Sequence, residues 1–200
     1  MEIILGSQSP RRRELMAGLN LPFTAITIEA DESFPAELQA GDIPLYISRA
    51  KARAYANQLN DNQLLITADT IVWCDGKMLG KPADEQEARQ MLRMLSNNTH
   101  QVYTAVTLLT KDGEIDAFVD RTDVTFRYMT DSEIDFYIAN CHPMDKAGAY
   151  GIQEWIGYTA CTHLNGSYFN VMGLPVQRLN QELNAFLNEE TDSFVDNFIY

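Results

Sequence analysis

A short apolar run, Ile3-Ile4-Leu5, is followed almost at once by Ser7-Gln8-Ser9-Pro10-Arg11-Arg12-Arg13, and this juxtaposition constrains the chain more than any other feature. The run reads as a short buried strand. Ser9 is a favoured N-cap and Pro10 a favoured first helical residue, so a helix opens here. A helix start is stabilised by Asp or Glu in its first turn, because the N-terminus carries partial positive charge. This one carries three arginines, with Arg12 where a capping box would place Glu or Gln. Each such cation costs a few tenths of a kcal/mol. A bound anion reverses that sign, since free backbone N–H groups and guanidinium forks together form a phosphate site. The segment reads as a phosphate cradle; the alternative is a solvated basic helix start.

The chain has 200 residues and 46% hydrophobic content, enough for one domain with a sizeable core and room for two lobes. No stretch approaches about 18 consecutive apolar residues, so no transmembrane helix is expected. The opening Met-Glu lacks the basic-then-apolar pattern of a signal peptide, and the protein is expected in the cytoplasm. Cys74, Cys141 and Cys161 are scattered, which suits reduced thiols there. His100, His142 and His163 form no metal-binding pattern. The formal net charge of −13 repels nucleic-acid polymers and acidic membranes, so neither is an expected partner. Against that field the arginine cluster points to a small polyanion.

Along the chain, residues 10–17 form the first helix, stopped by Gly18, and residues 23–28 alternate as a strand. An acidic loop over residues 30–42 precedes a helix over 44–57. Residues 64–74 form a long apolar strand region broken at Ala68-Asp69, and Asp75-Gly76 is a hairpin turn. After the loop Gly80-Lys81-Pro82, Asp84 and Glu87 open a helix to residue 95. Paired strands follow over 102–109 and 115–126, then a helix capped at Thr130 and running to 138. Residues 141–152 read as a long functional loop, 158–163 as a strand, the stretch to Pro175 as loop, and 175–187 as the last helix. Mixed strands and helices indicate α/β or α+β in one domain.

Several residues then stand out for their chemistry. Asp69 interrupts an apolar run, where an unpaired charge is expensive, so it either holds a metal or a water or caps a bend. Asp31 or Glu32 is available as a second carboxylate. Lys51, among alanines on its helix, reads in isolation as a surface lysine, whereas Lys81 between Gly80 and Pro82 reads equally as an anion contact. The stretch Asp145-Lys146-Ala147-Gly148-Ala149-Tyr150-Gly151-Ile152-Gln153 suits a backbone lying close to a planar ligand, with Gln153 offering donor and acceptor to a base edge; ordinary turns are the alternative. A P-loop, a dinucleotide-binding glycine pattern and a nucleophile elbow are all absent from the sequence.

Taken together, Ser7-Gln8-Ser9-Pro10-Arg11-Arg12, Asp31-Glu32-Ser33, Lys51-Ala52, Ala68-Asp69-Thr70-Ile71-Val72, Gly80-Lys81-Pro82, residues 145–153 and residues 166–175 resemble, in order, the motifs of the Maf family of nucleoside triphosphate pyrophosphatases. The resemblance implies an α/β fold, a single domain of two lobes around a mixed, elongated β-sheet, like that of the inosine triphosphate pyrophosphatases. The domain is expected to span residues 1–188, with an acidic C-terminal tail over 189–200. It implies that Arg11, Arg12, Lys51 and Lys81 hold a triphosphate, with Ser7 also at the phosphates. Glu32 and Asp69 would bind a divalent cation, Mg²⁺ or Mn²⁺, and Asp69 would accept the proton of the attacking water. Arg11, Thr70 and Gln153 are the implied specificity positions.

Residues 146–153 resemble the subgroup acting on dTTP and UTP, so these or modified pyrimidine triphosphates are the expected substrates. The alternatives are 7-methyl-GTP or another purine triphosphate, and, in a different class, a nucleotide-binding regulator of septum formation. A homodimer is the family expectation. The chain shows three departures from the family pattern: Glu154 replaces a usual glycine, Phe169-Asn170 replace small residues, and Lys77 replaces an acidic one. Glu154 is expected to narrow the base pocket or alter its charge.

Overall fold

The structure, a computed structural model, describes residues 1–190. The acidic tail expected beyond the domain lies, for residues 191–200, outside the described residues. The elements are β1 (Glu2–Gly6), α1 (Pro10–Ala17), β2 (Phe23–Ile26), α2 (Asp42–Tyr55), β3 (Gln63–Cys74), β4 (Lys77–Leu79), α3 (Glu85–Leu95), β5 (Thr99–Thr110), β6 (Gly113–Phe126), α4 (Asp131–Cys141), α5 (Trp155–Ala160), β7 (Cys161–Asn165), α6 (Tyr168–Met172) and α7 (Val176–Glu190). The seven strands form one mixed sheet in the order β2-β1-β3-β5-β6-β7, with β4 also paired to β3. The α/β class and the mixed sheet agree with the expectation from sequence.

A gap in this sheet positions the site. β1 runs parallel to β3 and covers it only as far as Thr67, opposite Gly6. β4 runs antiparallel to β3 and covers it from Val72 onward. Between them, among the described residues, the β3 edge at Ala68, Asp69, Thr70 and Ile71 has no neighbouring strand on that side, while β5 pairs with it without interruption on the other. Because β1 and β4 run in opposite directions, their carboxyl ends face each other across the gap. The loops that leave them, one into α1 and one through Gly80-Lys81-Pro82, therefore open onto the same stretch of β3. Loops at the carboxyl ends of strands are where open α/β sheets bind ligands.

The apolar core is interrupted at the same place. On one face of β3, Leu64, Ile66 and Ala68 pack with Leu15, Met16, Leu174 and Leu183. Further along that face, Val72 and Cys74 join a separate cluster with Leu92, Tyr137 and Ile156. On the opposite face, Leu65 packs with Ile4 and Leu59, and Ile71 with Ile43 and Ile47. Thr67, Asp69 and Thr70 fall between these clusters, forming a polar waist across which the two ends of the molecule are joined.

Three local expectations are corrected. β3 is continuous through Ala68-Asp69 because the β5 ladder carries it, so Asp69 stands in mid-strand and caps no bend. The strand expected from residue 158 begins at Cys161, since α5 occupies the preceding residues. That helix requires Gly157, where an added Cβ would meet the Ile152 carbonyl oxygen at 1.8 Å. Finally, the stretch before Pro175 contains α6, capped by Ser167, whose side chain accepts from the Asn170 N–H, and ended by Gly173 at φ 115°.

Candidate active site

The gap opens into a cleft of about 650 Å³. Ser7, Arg11, Arg12, Glu32, Lys51, Asp69, Thr70, Lys81 and Gln153, singled out from sequence, all line it. Asp31 does not; its carboxylate turns back to accept from the Ser33 N–H at 2.9 Å.

At the opening of α1 the Ser9 hydroxyl accepts from the Arg12 N–H, and no acidic residue lies in the first turn. The three arginines have different tasks. Arg12 spans the waist, its Nε donating to the Gly173 carbonyl at 2.8 Å and its Nη2 to the Thr70 hydroxyl at 2.9 Å. Burial lowers its pKa, an effect that Asp69 opposes and neighbouring Arg11 reinforces. Arg11 reaches the other way, to Asp145 at 3.0 Å. Arg13 turns behind the loop, where its Nε donates to the Ser7 carbonyl, so it is not among the cleft-lining residues.

Lys51 is the largest departure from its reading in isolation. It is only 13% exposed and lies between two carboxylates, 2.7 Å from Asp69 Oδ1 and 2.9 Å from Glu32 Oε1. The register of α2 puts it there. Ser48, one turn earlier, accepts at its carbonyl from Thr67 Oγ1 at 2.8 Å, and its hydroxyl lies 2.9 Å from that of Thr107. Helical spacing from Ile47, Ser48 and Ala52, all buried, was the available signal that Lys51 faces inward.

The two carboxylates behave differently. Burial raises the pKa of Asp69, although Lys51 and Arg12 pull it down. Burial also works to raise Glu32, but there the hydrogen bond and charge of Lys51, with the charges of Lys81 and Arg12, outweigh it and hold the carboxyl below its ordinary value. Among the described residues no cluster of three or more His, Cys, Asp or Glu could cage a metal. A pair of carboxylates sharing one ammonium nevertheless suits a hard cation. Mg²⁺ characteristically takes one or two carboxylates and completes its shell with phosphate oxygens and water.

The opposite end of the cleft is made by Asp145, Lys146, Ala147, Tyr150, Gly151 and Gln153. Gly148, at φ 67°, lets this segment approach β3, where a Cβ would meet the Val72 side chain at 2.9 Å. Its N–H donates to the Gly80 carbonyl at 3.0 Å, tying the segment to the Lys81 loop. Tyr150 is backed by His100, whose Nε2 lies 2.7 Å from the tyrosine hydroxyl; burial pushes this histidine down to about 4. Sequence reasoning missed this pair, and it missed the Gly173 carbonyl that receives Arg12.

Of the three departures, Glu154 does not line the cleft and so does not narrow it. Its carboxylate is directed to Lys146 and to the Tyr137 hydroxyl. Asn170 is buried, donating to the Val102 carbonyl at 3.1 Å and to Thr122 Oγ1 at 2.9 Å, whereas Phe169 and Lys77 are exposed.

The family described as Maf-like protein matches residues 2–186. Among curated relatives, the dTTP/UTP pyrophosphatase of Phocaeicola vulgatus is 54% identical over 183 residues, covering 91% of this chain and 94% of the relative. That of Parabacteroides distasonis is 50% identical over 186 residues, covering 92% and 96%. Among solved structures, the Staphylococcus aureus Ham1 protein aligns with a TM-score of 0.51 at 17% identity, covering 96% of this chain and 100% of its own. A HAM1 protein from Coxiella burnetii aligns at 0.50 and 15%, covering 94% and 99%. At such identities these two structures speak for the fold alone. The family match over nearly the whole chain and the identities of the curated relatives establish that this chain belongs to the Maf family.

Proposed function

We propose that this protein hydrolyses nucleoside triphosphates, dTTP and UTP foremost, to the nucleoside monophosphate and pyrophosphate. The observation that carries this reading is a buried carboxylate, Asp69, held against Lys51 in a cleft that also presents Arg11, Arg12 and Lys81. The names of the relatives in Phocaeicola and Parabacteroides support the choice of substrate.

In this reading Arg11, Arg12, Lys51 and Lys81 neutralise the triphosphate, and Ser7 contacts it at the opening of α1. Asp69 accepts a proton from water as the oxygen attacks the α-phosphorus. The bond from that phosphorus to the bridging oxygen breaks, and pyrophosphate leaves with its charge met by the lysines and arginines. Burial prepares Asp69 for this by making its carboxylate a better proton acceptor than one in water. Glu32 and Asp69 are the residues that would hold a divalent cation, Mg²⁺ or Mn²⁺. When bound, such an ion supplies further charge neutralisation at the phosphates. Thr70, Gln153 and Arg11 select the base. The same reading has the protein act on free nucleotides in the cytoplasm as a homodimer; no helix among the described residues is long and apolar enough to cross a membrane.

The test is pyrophosphate release from a panel of nucleoside triphosphates with Mg²⁺ or Mn²⁺. Release fastest from dTTP and UTP is expected. Release mainly from 7-methyl-GTP or another purine would keep the chemistry and overturn the base assignment. Binding without release by the folded protein would favour a regulatory role, such as one in septum formation.

A further inference from the structure

Glu154 stands outside the cleft, yet its carboxylate gathers the segment that forms one end of it. One oxygen lies 3.0 Å from Lys146 Nζ, and the other accepts from the Tyr137 hydroxyl. That hydroxyl in turn accepts from the Gly151 N–H at 3.0 Å. The Glu154 side chain also folds over Gly151, where an added Cβ would meet the carboxyl carbon at 2.8 Å. Lys146, 9% exposed at its side chain, has Asp145 as its second partner at 2.7 Å, and Asp145 continues the chain of charges to Arg11 at 3.0 Å. A nearly buried ammonium is tolerated only when paired, so removing the less exposed of its two carboxylates leaves it held by the exposed Asp145 alone and free to shift with it. The space open to it is the cleft that it lines, beside Gly151 and Gln153.

We propose that Glu154 is a positioning residue for base selection, locking Lys146, Tyr137 and the Gly151 turn into one unit that fixes where Gln153 meets the base. The inference rests on the functional reading above, in which this end of the cleft receives the base. Glu154 does not line the cleft in which the phosphates would sit, so its effect falls on binding of the base and not on the chemical step.

The test compares steady-state kinetics of Glu154→Gln with those of the unaltered protein on dTTP, UTP, CTP and an abasic deoxyribose triphosphate. One charged hydrogen bond lost from the base-holding unit is expected to raise KM for dTTP and UTP about tenfold and to narrow the dTTP-to-CTP ratio of kcat/KM similarly. The KM of the abasic substrate should not follow. Tyr137→Phe, which keeps the ring and removes only the hydroxyl, should shift the ratio in the same direction and serves if Glu154→Gln does not fold. An unchanged dTTP-to-CTP ratio in a folded variant would overturn the proposal. So would a rise for the abasic substrate matching that for dTTP, since general loosening of the cleft would produce it. Failure of the unaltered protein to hydrolyse any of the four would instead refute the underlying functional reading and this inference with it.

Discussion

Replacing Asp69 by Asn separates the catalytic value of this residue from its cost to the fold. Asn keeps the shape and an oxygen able to accept from Lys51, which retains Glu32 at 2.9 Å. It cannot take a proton from water. Loss of a positioned general base lowers turnover by about 10²–10⁴-fold, or about 3–5 kcal/mol in the barrier. The stability effect has the opposite sign. Burial raises the folded-state pKa of Asp69 above its ordinary value of 3.8, against the pull of Lys51 and Arg12. Between the unfolded and folded values the unfolded chain therefore binds fewer protons at this site, and the stability of the natural protein falls as pH rises through that window. The variant escapes this loss. In metal-free buffer its melting temperature should equal or exceed that of the natural protein at pH 7, and the difference should close as pH falls below the ordinary carboxylate value. Turnover by pyrophosphate release and thermal melts across pH 3 to 8 give both quantities. Turnover within about threefold of the natural protein, against the loss expected for a general base, would refute the catalytic argument; a variant markedly less stable at pH 7 would refute the electrostatic one.

Other perturbations follow from the same geometry. Arg12→Lys cannot serve both the Gly173 carbonyl and the Thr70 hydroxyl, and should cost about 10–100-fold in kcat/KM for a lost charged hydrogen bond, measured on dTTP. Gln153→Ala should blur discrimination among bases more than it slows hydrolysis; an unchanged substrate profile would remove Gln153 from base selection. Far from the cleft, the Arg127 hydrogen bond, helped by the Thr130 N–H, holds the Glu133 carboxyl down at about 2, from an ordinary value of 4.5. Its contribution to stability is full above the ordinary value and lost as pH falls toward the lower one. Glu133→Gln should therefore be less stable at neutral pH, with the deficit shrinking in acid, as melting curves would record.

The parts of the molecule that were legible in the sequence are those whose signals are local. Ser9 and Pro10 announce α1, Asp75-Gly76 announces the hairpin into β4, and Thr130 with Glu133 forms the capping box of α4. The arginine cluster and Asp69 stood out because neither a helix start nor an apolar strand tolerates such charges alone, whereas Ser7, Glu32, Lys51 and Thr70 entered the candidate site through the resemblance to the Maf family. What remained hidden depended on partners remote in sequence. Asp69 looked like a break in a strand because its neutralising partner, Lys51, arrives from α2, and because β5 carries the ladder through it. Lys51 looked exposed because the adjoining alanines mask the buried face it shares with Ile47 and Ser48. The helices α5 and α6 are too short for a helical period to register. Glu154 looked like an intrusion into the base pocket until Tyr137 and Lys146 were seen to draw its carboxylate away.

The central claim is attack of water on the α-phosphorus, and isotope placement tests it most directly. Hydrolysis of dTTP in ¹⁸O-water, followed by mass spectrometry of both products, should give dTMP carrying one labelled oxygen and pyrophosphate carrying none. Label in the pyrophosphate, or dTDP and inorganic phosphate as products, would contradict the account.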